Sequence, residues 1–129
     1  MALFLLDTSV CVDILRRRVP EAEPPSPGEC CLSAIVTAEL RTGLAKGLPN
    51  PSRAQKLEDF ISFFPVRDFD DVAARHYGEI RADLERRGIA IGPLDVLIAA
   101  HARSLEAALV TSNVKEFRRV KALEVKAWK

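Results

Sequence analysis

Short apolar runs separate longer segments of helical periodicity along this chain of 129 residues. Residues 3–6, 30–32 and 108–111 are short and almost wholly apolar. Such runs are typical of strands that are buried on both faces of a parallel sheet. Two further short strands are predicted at residues 64–66 and 123–125.

The segments between these runs carry helix signals. Residues 70–87 have apolar side chains at helical spacing and are followed by Gly88, a residue that commonly ends a helix. Pro93 suits the first position of a helix that is almost wholly apolar to about Ser104. The other predicted helices run from Thr8 to about Arg18, from Ser33 to about Lys46 and from Ser52 to Phe63, with a loop or short helix over residues 113–118.

The alternation of strands with helices predicts the fold class. It indicates an α/β protein, a three-layer α/β/α domain with a mainly parallel central sheet. The length fits one domain over residues 1–129. Residues 20–28 contain four prolines and are predicted to form an irregular surface connection, too short to link two domains.

Composition narrows the class of protein. With 48% apolar and 29% charged residues, the chain has the composition of a folded globular protein. Three cysteines, with no Cys-x-x-Cys pair, argue against a secreted disulfide framework and against a zinc site, and they favour a reducing cytoplasm. No segment has the length of a transmembrane helix or the basic lead of a signal peptide, so we expect no membrane association.

Three acidic residues lie in apolar surroundings far apart in the sequence. Asp7 ends the first predicted strand, Glu39 lies within an apolar helix, and Asp95 opens another. A buried carboxylate is costly unless it pairs, takes up a proton or binds a cation. In parallel sheets, ligands collect at the carboxyl ends of the strands, where the segments carrying these acids are expected to meet. The sequence therefore predicts a shared metal site.

Further polar residues are predicted near the same edge of the sheet. Asn113, which follows the strand that ends at Thr111, is a candidate catalytic residue, and Glu116, a few residues beyond it, is a candidate additional acid beside the metal-binding ones. Ser9 and Thr111 can orient an acidic ligand or a metal-bound water through their hydroxyl groups. A site with oxygen ligands alone suits Mg²⁺ or Mn²⁺. Such an ion can activate water and neutralise charge on a phosphodiester, which makes hydrolysis of a nucleic acid the natural reaction.

Each candidate also has an ordinary structural interpretation. Asp7 can simply cap a helix, Asp95 can favour a helix dipole, and Glu39 can be a surface residue. His101 lies on an apolar helix and is expected to serve packing rather than ligation, and Asn113 can be a turn residue.

The net charge of +1 conceals a basic surface if the candidate acids bind a cation. Basic side chains would then be available to bind phosphate groups. The alternative is that they form salt bridges on solvated helix faces. The candidates for a phosphate-binding rim are Arg16, Arg17, Arg18, Arg41, Lys46, Arg86, Arg87, Arg103, Lys115, Arg118 and Arg119.

Four blocks of sequence, in order, resemble the PIN-domain ribonucleases, and within them the VapC-type toxins of bacterial type II toxin–antitoxin pairs. The resemblance spans nearly the whole chain. The blocks are Leu5-Leu6-Asp7-Thr8-Ser9, Thr37-Ala38-Glu39-Leu40-Arg41-Thr42-Gly43, Gly92-Pro93-Leu94-Asp95-Val96-Leu97-Ile98-Ala99-Ala100-His101-Ala102 and Leu109-Val110-Thr111-Ser112-Asn113-Val114-Lys115-Glu116-Phe117.

The resemblance implies a specific activity and specific partners. It implies a PIN-like fold and an endoribonuclease that depends on Mg²⁺ or Mn²⁺ and acts on tRNA or another structured RNA. It also implies a homodimer and a cognate VapB-type antitoxin that covers the acidic pocket. By carry-over, Asp7, Glu39 and Asp95 are the metal-binding acids. The family's fourth acidic position falls at Asn113 here, and its neutral amide leaves a second metal position open.

Three other interpretations compete with this one. A phosphoaspartate hydrolase of the haloacid dehalogenase type needs a second aspartate two residues after the first, where this chain has Ser9. A receiver-type signalling domain would have paired acids at the first strand, whereas Asp7 has no acidic neighbour. A catalytically impaired PIN-like module that binds RNA or protein without cutting remains open because of Asn113.

Overall fold

A parallel sheet forms the centre of the computed structural model, which describes residues 3–17 and 25–128. In these ranges the sheet has five strands in the order β3-β2-β1-β4-β5, and every neighbouring pair is parallel. The strands are β1 (Phe4–Leu6), β2 (Cys30–Ser33), β3 (Val66–Arg67), β4 (Ala108–Thr111) and β5 (Val125–Ala127). The predicted parallel sheet is therefore confirmed.

Helices connect these strands and cover the sheet. A single 3₁₀ turn (Pro27–Glu29) precedes β2. None of the helices in the described ranges is both long and apolar enough to cross a lipid bilayer. The helices are α1 (Thr8–Leu15), α2 (Ala34–Lys46), α3 (Pro51–Ser62), α4 (Asp71–Arg86), α5 (Pro93–Ser104) and α6 (Val114–Phe117).

Helix caps follow the polar residues that precede the apolar segments. The Asp7 carboxylate accepts a hydrogen bond from the Thr8 amide at the start of α1. Ser33 Oγ accepts from the Ile35 amide at the start of α2. Such bonds satisfy amides that have no partner within the helix. Each cap also fixes where its strand stops, so Asp7 lies directly at the carboxyl end of β1.

The strand order places that end of β1 at a crevice. From β1 the chain proceeds to β2 on one side of the sheet, and β4 lies on the other side. Connections leaving β1 and β4 therefore diverge, which opens the space where ligands bind in parallel α/β sheets. Asp7 and Thr111 lie next to each other at this edge, because Leu6 pairs with Val110.

The core encloses β1, β2, β4 and most of α5. The strand residues Leu5, Leu32 and Leu109 are fully buried, as is Ile98 of α5. The burial of most of α5 between Val96 and Ala102 explains why its sequence is apolar on most sides there. Asp95 is thus attached to a rigid, well-packed helix.

Two predicted boundaries at the first helix and third strand were wrong. Helix α1 ends at Leu15 rather than near Arg18, because Arg17 has a left-handed φ of 56° that interrupts the helix. Strand β3 begins at Val66, because the Phe64 amide still donates to the Ile61 carbonyl at the end of α3. Arg18 and residues 20–24 of the predicted connection lie outside the described residues.

The last strand also begins later than predicted. Strand β5 covers Val125–Ala127 rather than residues 123–125. Ala122 has a left-handed φ of 60°, which turns the chain just before this segment. The Leu109 amide donates to the Glu124 carbonyl, and regular pairing with β4 then continues from Val125.

Candidate active site

Asp7 is a buried carboxylate held by three hydrogen bonds. Its side chain accepts from the Thr8 amide at 2.8 Å, from Ser9 Oγ at 3.1 Å and from Thr111 Oγ1 at 2.7 Å. Only 5% of Asp7 is exposed. Charge-assisted hydrogen bonds of this kind offset the cost of burying a carboxylate and restrict its rotation. Ser9 and Thr111 therefore both contact Asp7, at the positions where the sequence suggested orienting hydroxyl groups.

Thr8 joins Asp7 to Glu39. The Thr8 amide donates to Asp7, and Thr8 Oγ1 donates to Glu39 Oε1 at 2.7 Å. One residue therefore fixes two carboxylates that are 31 positions apart in the chain. The sequence predicts Thr8 only as the first residue of a helix, and this second contact was not predicted. The sequence feature that could have indicated the contact is the position of Thr8 between Asp7 and Ser9, which places its hydroxyl group at the same edge of the sheet.

Asp95 lies half-buried in the first turn of α5, close to three other acidic residues. Burial and, to a smaller extent, the negative charges of Glu116, Asp7 and Glu39 together raise its pKa to about 6. An electrostatic effect of all three on one carboxyl group requires them to be near it. The four acids thus share one region at the carboxyl edge of the sheet.

Asn113 and Glu116 contact each other beside this region. Asn113 Nδ2 donates a hydrogen bond to Glu116 Oε2. The amide of Asn113 also donates to Thr111 Oγ1 at 3.0 Å, which links this turn to the hydroxyl that holds Asp7. Asn113 is exposed, whereas Glu116 contributes charge to the environment of Asp95. The carboxylate added by this segment is therefore that of Glu116.

The acidic residues do not form a closed coordination shell in their present conformations. In residues 3–17 and 25–128, no three Asp, Glu, His or Cys side chains are close enough together to enclose an ion. Hydrogen bonds instead hold Asp7 and Glu39 in place, and the negative charges of the neighbouring acids repel that of Asp95.

Some of the predicted basic rim is committed to ion pairs. Arg41 pairs with Glu58, and Arg87 pairs with Asp83. Arg103 is largely buried and donates to His76 Nδ1 at 2.7 Å. These contacts favour the alternative interpretation for the three arginines, in which they form ion pairs within or between helices. Arg16 lies beside Glu39 in a surface groove, and Arg18 lies outside the described residues.

His101 connects the two helices that carry Glu39 and Asp95. It is 1% exposed, and its Nδ1 lies 2.7 Å from Ser33 Oγ, the capping atom of α2. Its ring also packs edge to face with that of Phe69. His101 is therefore a core residue, as expected from its apolar helix.

The sequence and the fold match known proteins over nearly the whole chain. Residues 4–123 match the family model described as "PIN domain". The chain belongs to the PIN-domain family. It is 37% identical over 131 residues to the tRNA(fMet)-specific endonuclease VapC of Shigella flexneri, with 99% of each chain covered. It is equally identical, at 37% with 99% coverage of each chain, to ribonuclease VapC2 of Haemophilus influenzae.

Solved structures of PIN-domain toxins have the same fold. A DNA-bound VapBC structure from Salmonella typhimurium matches with a TM-score of 0.88 and 34% identity, covering 100% of both chains. VapBC2 of Rickettsia felis, bound to a promoter DNA fragment, matches with a TM-score of 0.87 and 34% identity over 98% of this chain and 99% of that one. The expected PIN-like α/β/α fold and the relation to VapC ribonucleases are confirmed.

Proposed function

We propose that this PIN-domain chain is a metal-dependent endoribonuclease toxin whose active site comprises Asp7, Glu39, Asp95 and Glu116. The observation that carries this proposal is the convergence of four acidic residues at one edge of the sheet, where the charges of Glu116, Asp7 and Glu39 act on the half-buried Asp95. Ribonuclease activity is also the function named for the VapC relatives. Asn113, predicted as a catalytic residue, takes the role of orienting Glu116 through its amide group.

The donor set fits a hard divalent cation. Its four members provide carboxylate oxygens only, as Mg²⁺ and Mn²⁺ prefer. The repulsion that acts on Asp95 is the kind of excess negative charge that a cation relieves. Asp7, Glu39, Asp95 and Glu116 would hold the ion. When bound, it would lower the pKa of a water and neutralise charge on the phosphodiester.

The hydroxyl groups of the site orient the carboxylates. Thr111 Oγ1 holds Asp7 from the β4 side of the crevice, while Thr8 Oγ1 holds Glu39 beside it. Ser9 Oγ donates to Asp7 and accepts from the Ser112 amide, which joins the first and last segments of the site. These bonds keep the acids in place before RNA arrives, so less reorganisation is needed during reaction.

Substrate and partners follow from the relatives. The name of the Shigella flexneri relative specifies tRNA(fMet), and the solved relatives are VapBC toxin–antitoxin complexes. We therefore propose tRNA as the substrate and a VapB-type antitoxin as the inhibitor of this chain. We also propose a homodimer, a single PIN-like domain over residues 1–129 and a cytoplasmic location.

Cleavage of a total tRNA pool tests the function. Purified protein is incubated with Mg²⁺, with Mn²⁺ or with a chelator, beside an Asp7→Asn variant that is shown to be folded. Cleavage that requires metal and is lost in the variant would support the proposal. Metal-independent cleavage would contradict the metal centre, and binding of tRNA without cleavage under any condition would favour the impaired binding module.

One observation favours the alternative function, a PIN-like module that binds RNA without cutting it: the neutral Asn113 occupies the family's fourth acidic position. We expect Glu116→Gln to lower the cleavage rate by about 100-fold, because a lost charge weakens cation binding and stabilisation of the transition state. Asn113→Ala should lower it by less than about 10-fold, because only an orienting hydrogen bond is lost. Initial cleavage rates measured over a range of Mg²⁺ concentrations, from limiting to saturating, measure both effects. Equal rates for Glu116→Gln and the wild type would exclude Glu116 from the site.

Thr111→Val tests the support of Asp7. Valine preserves the shape of threonine but removes the hydroxyl that donates to Asp7 and accepts from the Asn113 amide. We expect a loss of about 2 kcal/mol in the free energy of unfolding, as for hydrogen bonds to charged groups. Cleavage should fall by about 10- to 100-fold, as for residues that orient metal ligands. Thr111→Ser keeps the hydroxyl and is the matched control for denaturant unfolding and cleavage assays.

A further inference from the structure

A groove between α1, α2 and α3 begins at the acidic region. We call it the α1–α3 groove, and its volume is about 510 Å³. At one end lie Thr8 and Glu39, the hydrogen-bonded pair of the candidate active site. The groove is therefore continuous with the place where RNA must be cut. Its other lining residues are Val12, Leu15, Arg16, Leu40, Gly43, Leu44, Arg53, Lys56 and Leu57.

The lining of the groove combines an apolar surface with cationic side chains. Aliphatic residues from all three helices provide the apolar surface. Arg16 comes from the end of α1, and Arg53 and Lys56 come from α3. Gly43 lies in the last turn of α2, and a Cβ added there would meet no atom from outside its own helical turn within 4 Å, so the groove is open at this position.

The three cationic side chains of the groove are not neutralised by acids. Within the described ranges, none of Arg16, Arg53 and Lys56 forms a salt bridge, whereas Arg41 and Glu58 do pair across α2 and α3 nearby. Unpaired cations beside an acidic centre give the groove a charge opposite to that of the centre. A polyanion that approaches the acids needs such a neighbouring positive surface to offset repulsion.

We propose that the α1–α3 groove binds an unpaired nucleotide of the RNA substrate, adjacent to the phosphate that is cut. The base packs on the apolar surface, and Arg53 and Lys56 bind the flanking phosphates. A groove of about 510 Å³ is of the size that takes one small-molecule-sized group. Proteins that read single-stranded RNA splay bases out onto such surfaces while cations follow the backbone.

This inference rests on the proposed nuclease function, because that function brings RNA to Glu39. It goes further in two ways. It assigns the path that the RNA chain follows along the protein surface, and it requires an unpaired nucleotide beside the cleaved bond. A fully paired duplex would leave no base free to enter the groove. Single-stranded loops should therefore be cut in preference to stems.

Binding of a short fluorescein-labelled oligouridylate, measured by anisotropy in chelator, tests the groove without any cleavage. The variant Arg53→Gln/Lys56→Gln should raise Kd by about 10-fold, and the slope of log Kd against log salt should fall by about 1.4 for two lost phosphate contacts. The matched control, Arg75→Gln/Lys126→Gln, removes the same charge outside the groove. It should change Kd by less than about 2-fold if the attraction is local rather than a matter of net charge.

A second comparison tests the base. Leu44→Ser makes the floor of the groove polar and should weaken binding of oligouridylate by about 3- to 10-fold, but should leave binding of a fully abasic oligomer unchanged. Equal weakening of both oligomers would overturn the assignment of a base to the groove. Equal effects of the two double variants would overturn the assignment of phosphates.

The outcomes for the groove and for the nuclease can be distinguished. If the groove variant raises Kd and lowers the slope as expected while the wild type cuts no RNA with metal, the groove assignment survives and the proposed function fails. If RNA binding is unchanged but the groove variant loses affinity for an antitoxin protein, the groove belongs to a protein partner and the proposal is overturned.

Discussion

The Asp95→Asn variant is expected to cut RNA about 1,000-fold more slowly than the wild type, equivalent to about 4 kcal/mol of transition-state stabilisation. Asparagine keeps the size of aspartate but removes the charge that would hold a cation. Asp95 lies on α5, whose apolar residues are buried in the core, so its position does not depend on its charge. The loss should therefore appear in the catalytic rate with the fold intact.

The same variant should not lose stability in the absence of metal. Burial and the surrounding acids raise the pKa of Asp95 to about 6, so the folded state binds its proton more tightly than the unfolded state does. For an acid this means that stability falls as pH rises through the range from about 4 to about 6. Removing the charge at pH 7 should leave stability equal or higher, by about 1 kcal/mol at most after solvent screening.

Denaturant unfolding in chelator and cleavage in Mg²⁺ measure the two effects separately. The exposed Asp59 of α3 provides the matched control, because Asp59→Asn makes the same chemical change away from the acidic region. Wild-type cleavage by folded Asp95→Asn would remove Asp95 from the site. A large loss of stability in chelator would instead mean that Asp95 has a structural role.

The order of elements could be predicted from the sequence because each element is encoded locally. The apolar strand at residues 108–111 and the cap at Ser33 both lie where the pattern indicates. Boundaries were less predictable where they depend on partners. Val125 joins the sheet because it pairs with Leu109, and nothing in the sequence near residue 125 specifies that partner.

The candidate site was predictable in its acids but not in their connections. Asp7, Glu39 and Asp95 stand out because a carboxylate in an apolar run requires an explanation. The bond from Thr8 to Glu39 spans 31 positions, and the contact between His101 and Ser33 spans 68. Threonine, serine and histidine are common in helix caps and cores, so their types alone do not indicate such long-range partners.

His101 provides the second large expected effect, on stability. Ser33 lies six residues before Glu39, and His101 lies six residues after Asp95. The contact between Ser33 and His101 is therefore as far from Glu39 along α2 as it is from Asp95 along α5. Six helical residues span about 9 Å. Because Glu39 and Asp95 also lie near each other, the helices run in opposite directions, and the contact fixes the start of α2 against the later part of α5.

The protonation state of His101 follows from its contacts. Ser33 Oγ accepts from the Ile35 amide, so its hydroxyl hydrogen is free to be donated to Nδ1 of His101. Burial is the largest cause of the lowered pKa of His101. The charges of Asp68 and Asp70 act in the opposite direction, and that of Arg67 lowers the pKa further. The ring is therefore neutral at pH 7.

We expect His101→Leu to lower the free energy of unfolding by about 2 to 3 kcal/mol, because the buried Ser33 hydroxyl loses its acceptor. His101→Asn, which retains an acceptor near the position of Nδ1, should lose about half as much. A double-mutant cycle with Ser33→Ala should give a coupling of about 1 kcal/mol or more between the two side chains. Additive effects of the two single changes would show that the contact contributes nothing.

Dependence on pH separates the contact from simple loss of packing. Because the pKa of His101 is lowered in the folded state, protonation favours the unfolded state, and stability should fall as pH drops below about 6.5. The His101→Asn variant lacks this titration and should lose less stability between pH 7 and pH 5. If the contact also positions Glu39 against Asp95, the folded His101→Leu variant should have a lower kcat and an unchanged KM. The His101→Asn variant should then recover kcat. A Leu variant with wild-type kcat would limit His101 to a structural role.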